Sequence, residues 1–68
     1  MRLLSEYFRE DGASAEVLAI DDFYAILYYN DEQMLCEMEE FKSNSLSYVE
    51  DAAENWALGI KKEPIVLC

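Results

Sequence analysis

The side chains in this chain that could do chemistry are almost all carboxylates. They fall in four clusters: Asp21-Asp22, Asp31-Glu32, Glu37 with Glu39-Glu40, and Glu50-Asp51-Glu54. A catalytic carboxylate pair needs a concave pocket that moves one pKa away from the other. Several of these acids fall at turn positions instead, where solvent surrounds them. A calcium loop needs oxygen ligands at alternate positions and a glycine turn, and no D-x-D-x-D-G run occurs. The chain has no histidine, which removes the commonest zinc ligand and the commonest general base together. Cys36 and Cys68 are the only cysteines and are read as free thiols. A reactive thiol wants a basic neighbour, and Cys36 has Glu37 beside it. These features predict a protein that is not an enzyme, with no catalytic residues, no cofactor and no bound metal.

Charge bears on partners. Fifteen acids against five bases give a formal charge of −10 over 68 residues. Nucleic-acid binding proteins neutralise phosphates with Lys and Arg, so direct DNA or RNA binding is disfavoured. An anionic membrane surface is disfavoured for the same reason. A protein partner with a basic surface would be attracted, and its encounter accelerated. Composition is nevertheless that of a folded chain, 53% hydrophobic with five Tyr, three Phe and one Trp. This length allows a single small domain, residues 1–68, with one core. No apolar run approaches the ~20 residues of a membrane span. Met1-Arg2 leads into only two leucines before Ser5 and Glu6, unlike a leader sequence. The expectation is a cytoplasmic protein.

The elements that must position the acids are legible in part. Residues 45–60, SLSYVEDAAENWALGI, read as an amphipathic helix over about 47–58. Ser47 and Glu50 have the spacing of a capping box. Val49, Ala52, Ala53, Trp56, Ala57 and Ile60 recur on one face of a 3.6-residue period, which makes Trp56 core. Glu50 and Asp51 would sit in the first turn, where the helix dipole favours anions. Gly59 supplies a left-handed stop, with Lys61 and Lys62 beyond it. Residues 23–29, FYAILYY, are the best strand, aromatic and β-branched without a breaker. Residues 33–40 alternate and read as its partner across a turn at Asn30-Asp31. Residues 16–20 form another short apolar run. Residues 1–9 fit either a helix or an edge strand, with the turn signal at Asp11-Gly12 favouring the strand. Ile65, Val66 and Leu67 would dock on the sheet or add an edge strand.

A two-residue loop sets Leu27 opposite Met34, Ala25 opposite Cys36 and Phe23 opposite Met38, an apolar face suited to the helix. Tyr24, Ile26 and Tyr28 then share the other face with Leu35 and Glu37. The fold class predicted is α+β, a three- to four-stranded antiparallel sheet packed on one face by a single C-terminal helix.

Residues 48–60, YVEDAAENWALGI, resemble the C-terminal segment of small proteins of marine phages, cyanophages especially, which share an "AEDAAENW-LGI" ending behind a tyrosine-rich hairpin. The resemblance implies a phage-type origin and brings no established activity. The strand–strand–strand–helix order of the second half also resembles the double-stranded RNA-binding domain. That family's helix begins with lysines that meet phosphate, whereas this one begins Val49-Glu50-Asp51, so the resemblance does not carry RNA binding over.

An apolar patch on a small protein marks an interface, and Tyr suits one by its large area and low rotamer cost. Tyr24, Ile26, Tyr28 and Leu35, with Glu37 and Glu39 at the rim, are therefore the candidate partner-binding residues. The function predicted is that of a small acidic phage-type protein that binds another protein. Its alternatives are a nucleic-acid mimic that blocks a DNA- or RNA-binding protein, and a minor structural component of a phage particle. Like charges at the rim predict a monomer or weak homodimer.

Overall fold

The computed structural model describes residues 1–59. Readings that concern Ile60, Lys61-Lys62, Ile65–Leu67 and Cys68 lie outside the described residues. The fold is α+β: a four-stranded antiparallel sheet in the order β1-β2-β3-β4, with one helix packed on it. The strands are β1 (Arg2–Phe8), β2 (Ser14–Ile20), β3 (Phe23–Tyr29) and β4 (Leu35–Phe41), and the helix is α1 (Leu46–Ala57). Every strand-to-strand connection is a hairpin, so strands that are neighbours in sequence are neighbours in the sheet.

Asp11 and Gly12 lie in the β1–β2 turn, with Gly12 at φ +99. A Cβ there would stand 3.1 Å from the Asp31 Cβ, because the β3–β4 loop rests against this turn. Asp21-Asp22 closes the β2–β3 hairpin, with Ile20 paired to Phe23 and Asp21 left-handed at φ 49. Asp tolerates that conformation better than most residues.

The β3–β4 loop differs from the two-residue turn that the sequence predicts. It spans residues 30–34, and Tyr29 pairs with Leu35. The Asn30 side-chain oxygen accepts from the N–H groups of Glu32 (2.8 Å) and Met34 (3.0 Å). Gln33 is left-handed at φ 65, and its amide donates to the Gly12 carbonyl at 3.1 Å. The longer loop slides β4 by four residues, so that Leu27 meets Met38 and Tyr24 meets Phe41. An even slide keeps every β4 side chain between residues 37 and 41 on the face predicted for it. It also brings Phe41, one residue beyond the strand predicted over 33–40, into the core, at 8% exposure.

The helix covers the face opposite to the one the two-strand hairpin suggests. Its buried residues Val49, Ala53 and Trp56 lie against Ala15, Val17, Ile26, Tyr28 and Phe41. Tyr7, Leu4 and Tyr24 flank that cluster. The reason lies in β1 and β2. Across the first three strands the helix side carries no acid: the paired rows are Tyr7–Ala15–Tyr28, Ser5–Val17–Ile26 and Arg2–Ala19–Tyr24. The other side carries Glu6 paired with Glu16, and Glu40 paired with Ala25. Burying those carboxylates under a helix would strip them of water with no base to offset the loss. Ala15 and Val17 are also small enough to seat the Trp56 ring.

The helix begins earlier than the capping-box spacing predicts. Ser45 is the N-cap, its hydroxyl accepting from the Tyr48 N–H at 3.2 Å, and the first turn holds no acid. Starting at Ser45 rather than Ser47 brings Leu46 into the helix, where it packs against the core. Glu50 accepts instead from the Ser5 hydroxyl of β1 at 2.7 Å. At the other end Leu58 is the C-cap, and Gly59 follows at φ +80 with its N–H donating to the Trp56 carbonyl at 3.1 Å. Among the described residues no atom beyond its chain neighbour stands within 4 Å of a Cβ placed on Gly59, and what opposes one is the backbone conformation. Gly59→Ala is expected to destabilise by about 1 kcal/mol. A neutral result in chemical denaturation would mean that the chain can leave the helix by another path.

Candidate functional site

The helix buries two of the six candidate partner-binding residues in the core and partly covers a third. Ile26 is 0% and Tyr28 1% exposed, and Tyr24 packs against the same cluster. They therefore form no external patch, which corrects the surface predicted from the hairpin alone. Leu35 also parts from them. A register shift between Tyr28 and Tyr29 pairs Leu35 with Tyr29, on the face away from the helix. The bulge forms because the chain must turn out of the long loop before β4 settles into register.

Glu37 and Glu39 keep their predicted face. They share it with Phe41 on β4, an edge strand at the border of the area that α1 covers. Glu39 is fixed there: the Tyr28 hydroxyl donates to its Oε1 at 2.9 Å. Burial raises the Tyr28 phenol pKa far above the ordinary value, and the bond to Glu39 raises it further. Tyr28 thus stays a proton donor and Glu39 an acceptor. Phe41 meets Tyr48 of the helix edge-on, with ring centroids 6.1 Å apart, and Tyr48 remains exposed. Glu37, Glu39, Phe41 and Tyr48 make a strip along the β4 side of the molecule, acidic at one end and aromatic at the other.

Two bases lie elsewhere and are engaged. Arg9 pairs with Asp11 at 3.5 Å and lies 4.9 Å from the centre of the Trp56 ring. Lys42 is 3.7 Å from Glu40 and 5.1 Å from the centre of the Phe23 ring. Residues 1–59 hold fourteen acids and three bases, so most carboxylates there face solvent without a base from that set. Among the described residues no group of three His, Cys, Asp or Glu is arranged to hold a metal ion. None of their helices is long and apolar enough to cross a membrane. Cys36 is disulfide-bonded, not the free thiol read from the sequence.

The face away from the helix was given no role in binding by the sequence, yet it carries Leu3, Phe8, Leu35 and Met38, each about half exposed or more. The signal was present in β1 and β2, whose alternation places Phe8, Glu6, Glu16 and Leu18 together once the hairpins are closed. No family model, curated protein or solved structure matches the chain.

Proposed function

We propose that this is a non-catalytic acidic protein, of the phage type its helix resembles, that works by binding another protein with a basic surface. The observation that supports this most is the charge imbalance of residues 1–59, with the strip of Glu37, Glu39, Phe41 and Tyr48 held rigidly on a strand edge and a helix. Fixed carboxylates beside an exposed aromatic ring offer charge steering and an apolar anchor in one place. The helix bed leaves Tyr24, Ile26 and Tyr28 out of this role, so the acids that bordered them become the binding surface.

The test is a double charge reversal, Glu37→Lys with Glu39→Lys, checked for folding by circular dichroism. Proteins from a lysate of the source cell are captured on the original chain and on the variant, at low and at high salt. A basic protein retained by the original chain should be lost by the variant, its association slowed roughly tenfold or more. High salt should weaken the original capture in the same way. Equal retention by both chains at both salts would sink the proposal. Displacement of the captured protein by duplex DNA would turn the reading to nucleic-acid mimicry.

A further inference from the structure

The β3–β4 hairpin has two registers that its sequence fits. In the observed one Leu27 faces Met38, Ile26 faces Glu39 and Ala25 faces Glu40. This register leaves Met34 and Leu35 more than half exposed, at 56% and 55%. It also requires a left-handed Gln33, at φ 65, and a register shift between Tyr28 and Tyr29. A two-residue turn at Asn30-Asp31 removes both requirements, and Asn and Asp tolerate the backbone of such a turn. Residues 32–38 then pair with the whole of β3 without a bulge. Leu35 replaces Glu39 opposite Ile26, Cys36 replaces Glu40 opposite Ala25, and Met34 replaces Met38 opposite Leu27. The slide is even, so no side chain changes face.

The helix need not move for this. Glu37 takes the present place of Phe41 opposite Tyr24, and residues 38–44 then span to the Ser45 cap what residues 42–44 span now. Four residues pass from the loop before β4 to the link after it, which becomes slacker. The observed register is held by Phe41 in the core, by the Tyr28–Glu39 bond and by Gln33 donating to the Gly12 carbonyl. It has a covalent anchor as well, because Cys36 lies in the strand that slides and is disulfide-bonded.

We propose that the Cys36 disulfide holds the hairpin in its observed register, and that reduction lets β4 slide by four residues into the other. Two molecules of a monothiol such as glutathione supply two electrons to the S–S bond. The two sulfurs leave as thiols with two protons, and the reductant leaves as its own disulfide. The slide carries Glu37 and Glu39 about 13 Å along β3 and parts Phe41 from Tyr48. It thereby takes the acidic strip apart, so the redox state of Cys36 gates that surface. The role as a gate rests on the binding proposal. The slide itself is read without any partner, so the two fail separately.

The test is NMR of the full chain, oxidised and then reduced with glutathione, following side-chain nuclear Overhauser contacts. The oxidised chain should show Leu27 against Met38. On reduction a second set should appear beside it, with Leu27 against Met34 and Ile26 against Leu35. Cys36→Ser should show the second set without reductant. Gln33→Ala, which removes the hold on Gly12 and leaves the core intact, should enlarge it in the reduced chain. The Leu27–Met38 contact alone in the reduced chain and in both variants would overturn the proposal. A second set equally strong in the oxidised chain would overturn it too, since the disulfide would not set the register. So would loss of all these contacts on reduction, which would mean that the bond holds the fold instead.

Discussion

Trp56→Ala is expected to lower the stability of this domain by roughly 3–5 kcal/mol, the range for deleting a buried aromatic side chain. The ring is 4% exposed and sits where the helix meets the sheet. It meets Tyr28 edge-on at 5.0 Å between centroids, and Arg9 covers its other approach at 4.9 Å. Neither neighbour can close the space left behind. Tyr28 is held by its bond to Glu39, and Arg9 by its pair with Asp11. A chain of this length has a total stability of about 3–10 kcal/mol, so the variant should be largely unfolded or close to it at room temperature. Urea denaturation followed by circular dichroism measures this directly. An unchanged midpoint would mean that α1 does not dock through Trp56.

Ile26→Glu should unfold the protein outright. Ile26 is 0% exposed in the middle of β3, paired with Val17 on one side and Glu39 on the other. The substitution removes apolar burial worth about 1.5–3 kcal/mol. It then places a carboxylate under the helix, next to an existing carboxylate and with no base in its row. A buried unpaired charge costs several kcal/mol more. Together these exceed what the domain can lose. Ile26→Val is the matched control: it keeps the apolar character and should cost only about 0.5–1.5 kcal/mol. If the glutamate variant kept a cooperative melt while losing self-association, Ile26 would have to lie on an outer surface. The helix would then cover the other face of the sheet.

The sequence by itself determined the helix and the β3 and β4 strands and which residues share a face in each, while it left residues 1–9 between strand and helix. The stripe from Val49 to Trp56 dictates a helix with one buried face, and that face is the buried one. The alternation in β3 and β4 dictates which residues travel together: Glu37 and Glu39 with Ile26 and Tyr28, and Met38 with Leu27. These are local properties, set by a period of 3.6 or of 2, and they survive a register slide of four residues. Three things were decided only by the tertiary structure. The loop at residues 30–34 depends on Gln33 and Asp31 docking against the β1–β2 turn, a contact between distant segments. The helix start depends on whether Leu46 has a core to enter, which favours Ser45 over Ser47 as cap. The choice of sheet face is the largest of the three. On β3 and β4 alone the Ala25 and Leu27 side looks the drier, because Glu37 and Glu39 mark the other. Adding β1 and β2 reverses the balance, since Glu6 and Glu16 fall on the Leu27 side while Ala15 and Val17 fall beside Ile26. Desolvation is summed over the whole area the helix covers, so no pair of strands read alone can fix where it goes.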